Sequence, residues 1–111
     1  MKSIKAVQKT LFDFGIEIIE LYKILVFHEK EFIFSKRLLK AGTGIGFEYS
    51  CGKINKAWKK AVETKFWLEI VKSMWDLTNH SEEINKESVI QKINSISDSL
   101  TGIFYFFEKR N

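Results

Sequence analysis

An all-α protein, an antiparallel up-down-up-down four-helix bundle, is the fold that this sequence predicts. Three observations point to it. Apolar residues recur at alternating steps of three and four in four separate stretches, which is the spacing of one helical face. The 111 residues include no proline, so no helix interior meets an interruption costing roughly 3 kcal/mol. The stretches are separated only by short turns, which favour antiparallel neighbours.

The first helix is expected from Ser3 to Phe27. Ile4, Val7, Leu11, Phe14, Ile18, Leu21 and Leu25 form an unbroken heptad seam. Phe12, Ile16, Ile19 and Val26 lie on an adjoining stripe, so the apolar face is wider than one seam requires and offers a second contact surface. His28 and Glu29 mark a turn, with His28 near the carboxyl end of the helix, where the macrodipole favours an imidazolium.

Helix two is expected from Lys30 to Tyr49 and contains SKRLLKAGTGIG, residues 35–46. Its glycines at alternate positions suggest a loop, since each costs a helix about 1 kcal/mol relative to alanine. Phe34, Leu38, Ala41 and Ile45 nevertheless keep a 4-3-4 spacing straight through them. Ser35, Gly42 and Gly46, with the larger Leu39, form a second line on which a neighbouring helix can approach closely. A flexible glycine-rich turn is the alternative. Cys51, Gly52 and Lys53 make a tight connection, with Gly52 suited to the left-handed conformation.

Helix three, Ile54 to Leu77, has Ala57, Ala61, Thr64, Leu68, Val71 and Trp75 on one seam and Trp58, Val62, Phe66 and Ile70 on another. The turn TNHSEEIN follows. Asn85 caps the last helix, and Ile84 and Val89 are placed as a hydrophobic staple. Helix four, Lys86 to Glu108, repeats the seam at Val89, Ile93, Ile96, Leu100, Ile103 and Phe107. Helices of roughly 20 to 25 residues are each about 30 to 37 Å long. The sixteen aromatic residues exceed what one narrow seam holds, and Phe66 and Trp67, about 100° apart, cannot both face one core. A subunit interface accounts for the surplus better than a small-molecule pocket does.

A hydrophobic fraction of 45% with 29% charge fits a folded chain of one domain, residues 1–111, rather than a disordered one. One cysteine excludes an internal disulfide framework. MKSIKAVQK lacks the apolar core of a signal peptide, and no window approaches eighteen uninterrupted apolar residues. The expectation is a soluble cytoplasmic protein without membrane contact.

Charge is unevenly placed. Between Ser35 and Lys65, eight cations stand against Glu48 and Glu63, a formal +6 where the whole chain carries +4, so the remainder sums to −2. Lys36, Arg37, Lys40, Lys53, Lys56, Lys59 and Lys60 are the candidate contacts to nucleic-acid phosphates, with Arg37 suited to a bidentate one. Trp58 and Tyr49 are candidates for stacking on single-stranded bases. Lysines without an array of base-reading arginines predict little sequence preference. A solvated, solubilising helix face is the alternative.

Catalytic chemistry has little support. His28 and His80 have no second His or Cys at ligand spacing, so neither a metal nor another cofactor is expected. Cys51 has no activating base in view. GTGIG fits neither the dinucleotide nor the Walker phosphate-loop pattern. Glu17, Glu20, Glu63 and Glu69 lack the Glu-x-x-His pairs of a diiron bundle.

Three stretches of the chain also resemble one family. SKRLLKAGTGIG is similar to the motif S-K-Q-L-L-R-S-G-T-S-I-G of bacterial four-helix-bundle proteins named after members encoded in intervening sequences of 23S ribosomal RNA. FDFGIEIIELYKIL matches before it, and KKAVETKFWLEI resembles that family's K-E-A-x-E-T-x-Y-W-L-x-L after it. Arg37 stands where the family usually has Gln. The resemblance implies the same bundle assembled as a ring-like homopentamer, and reads Glu63-Thr64 as an inter-helix or inter-subunit hydrogen-bonding pair. It implies no defined activity. Family members usually carry about ten more residues between the glycines and K-A-V-E-T, so each hairpin arm here is roughly 7 Å shorter. Phe47-Glu48 stands where the family tends to show Ala-Asn.

The expectation for function is therefore a non-enzymatic homo-oligomer, binding RNA or DNA backbone through the surface of helices two and three. A related basic pentamer, the accessory variability protein of diversity-generating retroelements, supplies an analogy. The alternative is a protein-interaction scaffold whose basic face meets an acidic protein partner.

Overall fold

The computed structural model describes residues 4–29, 32–77 and 86–110. Within them run α1 (Ile4–Glu29), α2 (Ile33–Ser50), α3 (Ile54–Leu77) and α4 (Lys86–Arg110). The helices form a square, α1 on α2, α2 on α3, α3 on α4 and α4 back on α1, with no diagonal contact among the described residues. Each pairing is antiparallel. Leu11 lies against Gly46 and Ile18 against Gly42, Phe34 stacks on Trp67 while Gly44 meets Lys60, and Lys92 of α4 pairs with Glu20 of α1. The bundle measures 45 × 23 × 19 Å.

The four seams close on one another to form the core. Val7, Leu11, Phe14, Ile18, Leu21 and Leu25 of α1 are buried, as are the six seam positions of α3 and the six of α4. Ile4 departs from its seam and is exposed, because α2 runs antiparallel and ends at Ser50, short of its level. Tyr49, Phe106 and Phe107 pack edge to edge at this end, with Trp58 set edge-on to Phe104 and Phe107. Such pairs contribute about 0.5 to 1.5 kcal/mol each beyond their burial.

Helix α2 continues without a break through all three glycines. A Cβ on Gly42 would stand 2.7 Å from Ile18 Cγ1, and one on Gly46 would stand 3.4 Å from Leu11 Cβ. The small residues thus let α1 approach α2 along the line that includes the buried Ser35. Gly44 serves a different neighbour. The Lys60 stem crosses it, with Cδ 3.1 Å from where a Cβ would be. The helix tolerates the low propensity of glycine because two partner helices pack where side chains would stand.

The α2–α3 connection is a Schellman turn. The Lys53 N–H donates to Glu48 O at 2.9 Å and the Gly52 N–H to Tyr49 O at 2.9 Å, around Gly52 at φ 77°. Lys53 then starts α3 by accepting the Ala57 N–H at 3.0 Å.

Two expected boundaries shift. Helix α1 extends through His28 and Glu29 instead of turning there, and α2 begins at Ile33 instead of Lys30. Phe32 has no side-chain acceptor for a cap and engages only through its carbonyl, which accepts the Lys36 N–H at 3.4 Å. The Asn85 cap, Ile84, His80 and the His28 side chain lie outside the described residues.

Candidate nucleic-acid interface

The cations of α2 and α3 owe their placement to the two helical stripes that bury the core. With Leu38, Ala41 and Ile45 turned inward, Lys36 and Lys40 project on the opposite side of α2, and Arg37 leans toward α3. On α3, the inward Ala57, Ala61 and Thr64 leave Lys56 and Lys59 outside and set Lys60 at the seam with α2. All but Lys60 are exposed, Lys53 at the hairpin tip included, and Lys60 is half-buried along its stem. The seven candidate cations therefore share one hairpin, in two groups. Lys53, Lys56, Lys59 and Lys60 occupy the tip end, while Lys36, Arg37 and Lys40 lie further down α2.

Two of them are fixed by contacts. The Arg37 guanidinium lies 5.3 Å from the centroid of Trp67, whose other ring neighbours are Phe34 at 5.8 Å and Phe66 at 5.0 Å. Stacking orients the guanidinium and leaves its edge donors for an oxyanion. Lys60 is held across Gly44 and pairs with Glu63 at 3.7 Å. From the level of Trp67 to that of Lys60 is seven residues along α3, about 10 Å. Glu63 is the carboxylate between them, and a pair this exposed contributes at most about 1 kcal/mol.

The two expected stacking residues are turned away. Tyr49 is 6% exposed and belongs to the core, on the same stripe as Leu38 and Ile45. Trp58 is half-buried against α4 through its edge contact with Phe104. The aromatic that α3 does present on this side is Phe66, 55% exposed. Its signal in the sequence was the Phe66-Trp67 pair itself, since only one of two adjacent rings can turn inward.

The Glu63-Thr64 pair is engaged inside α3. Thr64 Oγ1 donates to Lys60 O at 2.6 Å, and Glu63 pairs with the same residue's ammonium. The hydroxyl expected to bond between helices or subunits instead gives its proton to the preceding turn of its own helix. Glu17 accepts from Ser99 at 3.4 Å, and Glu20 holds Lys92. No three His, Cys, Asp or Glu side chains gather among the described residues. Among those residues no helix is long and apolar enough to cross a membrane. Cys51 is exposed at the hairpin tip.

A different surface lies between α1 and α2. Gly15, Thr43 and Gly46 form the floor of an open groove of about 620 Å³, with Phe12, Ile16 and Phe47 along its sides. Phe12 and Phe47 are each 66% exposed. The stripe read as a second contact surface on α1 thus forms one wall of this groove. A second groove, of about 540 Å³ between α3 and α4, is lined by Trp58, Phe104 and Tyr105, with the Lys65 ammonium 5.7 Å from the Phe104 centroid.

No family profile and no curated protein matches the chain. Among solved structures, the chain is similar to a protein of unknown function from the S23 ribosomal protein family of Bacteroides thetaiotaomicron. The two are 31% identical over 92% of this chain and 97% of that one, and superpose with a TM-score of 0.62. The shared architecture and the identity across nearly the full length of both chains establish that this chain belongs to the S23 ribosomal protein family.

Proposed function

We propose that this protein is a non-enzymatic, oligomeric, cytoplasmic bundle of the kind encoded in intervening sequences of 23S ribosomal RNA, binding RNA or DNA backbone through the outer face of α2 and α3. The observation that carries the reading is the concentration of Lys36, Arg37, Lys40, Lys53, Lys56, Lys59 and Lys60 on one hairpin, with Arg37 and Lys60 oriented by Trp67 and Gly44. A positive surface built largely from lysine ammonium groups neutralises phosphates and releases counterions, with little preference for sequence.

Assembly repeats this surface. The apolar α1–α2 groove, with its exposed Phe12 and Phe47, supports burial against a second copy, and the motif resemblance favours a five-membered ring. Repetition around a ring raises the local potential and draws in polyanions. The same groove favours a second reading, a scaffold that docks a protein partner and leaves nucleic acid aside.

Titrating labelled RNA and DNA at several salt concentrations separates the two. Binding through the cationic face gives an affinity that falls steeply as salt rises, by roughly 0.9 log unit per log unit of salt for each duplex phosphate neutralised. No binding at about 50 mM salt, where such contacts are strong, abandons the nucleic-acid reading.

A further inference from the structure

We infer that the nucleic acid taken by the α2–α3 face is single-stranded, and that Phe66 is the platform on which one of its bases stacks. The inference rests on the proposed nucleic-acid function and names its substrate class. Phe66 is 55% exposed, yet its ring is steadied from behind by an edge contact with Trp67 at 5.0 Å. Trp67 in turn stacks on Phe34 at 5.8 Å and meets the Arg37 guanidinium at 5.3 Å. Lys59, seven residues before Phe66, lies two turns away on the same side of α3, about 10 Å along the axis. With the exposed carboxylates Glu63 and Glu69 one turn to either side, this water-facing ring shares the outer face of α3 with the Lys59 ammonium two turns away.

That combination selects among polyanions. A duplex presents phosphates to the cations and keeps its base faces stacked inside, so an exposed ring gains nothing from it. An unpaired strand offers phosphates and free π-faces together, and stacking on an aromatic ring favours any base. The other exposed ring of α2 and α3 belongs elsewhere. Phe47 lines the α1–α2 groove beside Phe12 and Ile16, where assembly is proposed. Val62, 46% exposed, widens the apolar surface beside Phe66.

The test compares a labelled oligothymidylate with a mixed-sequence duplex of equal length, each titrated with the full chain at several salt concentrations. Phe66→Ala is expected to weaken oligothymidylate binding by about tenfold or more while leaving duplex affinity and both salt slopes unchanged. Phe66→Trp is expected to retain the preference, and Lys59→Gln to weaken both ligands and lower the slope by about one. Equal losses for both ligands in Phe66→Ala, or none, overturn the stacking role. A fall in assembly mass in Phe66→Ala, measured by light scattering, overturns it in favour of a contact between copies. If the unaltered protein binds neither ligand at low salt, the proposed function fails first and takes this inference with it. If it binds both equally, only the inference fails.

Discussion

Replacing Gly42 by alanine tests the close approach of α1 and α2. The substitution has two opposed effects. Alanine gains about 1 kcal/mol of helix propensity, partly by restricting the unfolded chain. Against this, the new methyl would stand 2.7 Å from Ile18 Cγ1 and 3.0 Å from Cγ2. Ile18 is fully buried and β-branched, so its γ-carbons cannot swing away as the end of a long side chain could. Overpacking of this kind costs about 1 to 3 kcal/mol. The steric clash offsets or outweighs the propensity gain, and Gly42→Ala is expected to lose up to about 2 kcal/mol, a fall in Tm of up to roughly 8 °C for a chain of this size. Gly15→Ala and Gly102→Ala serve as internal controls. A methyl at Gly15 meets Thr43 at an ordinary 3.8 Å, and one at Gly102 has nothing within 4 Å. Both are expected to keep the propensity gain and to raise stability by up to about 1 kcal/mol. The assay is urea unfolding followed by circular dichroism at one fixed protein concentration, because assembly shifts apparent stability. If Gly42→Ala is as stable as these two, the helices are not in contact at Ile18 and the packing argument is wrong.

Two further substitutions test the tip and the groove. Gly52→Ala is expected to cost about 1 kcal/mol despite open space around it, because its φ of 77° is strained for any residue with a Cβ. An unchanged unfolding midpoint refutes that. Phe12→Glu, on a side chain 66% exposed, is expected to reduce the particle mass in light scattering to one chain while leaving the helical circular dichroism spectrum unchanged. A mass that stays the same moves the assembly surface away from the α1–α2 groove.

Much of the bundle is legible in the sequence because periodicity and burial are the same fact seen twice. The α3 seam from Ala57 to Trp75 and the α4 seam from Val89 to Phe107 are both buried at every step. The glycine segment reads as helix because Leu38, Ala41 and Ile45 extend their stripe through it, and a loop has no reason to keep that register. The role of Gly44 was not legible. It lies off both stripes, and only the register of α2 against α3 brings Lys60 across it.

The candidate interface divides in the same way. Lysines project outward wherever a core stripe turns inward, so their exposure follows from spacing. Which aromatics accompany them does not follow from adjacency. Trp58 lies between Lys56 and Lys59 in sequence but is rotated about 100° from Ala57 toward α4, where Phe104 receives it. Tyr49 could have been recognised, since it stands four residues after Ile45 on the core stripe. The pairing of Arg37 with Trp67 joins two helices and depends on their register, which local spacing leaves open.

The four sides of the square are unequal. Glycine lets α2 nest against α1 and gives Lys60 of α3 a place to lie, whereas among the described residues α4 has the sparsest contacts with its two neighbours. Cooperative opening should then begin with the last helix peeling from a three-helix remainder, since the contacts it forfeits are fewest. The cationic hairpin belongs to the remainder. Its groups would hold their spacing through excursions that briefly bare the core, so capture of a polyanion would not depend on every helix being seated.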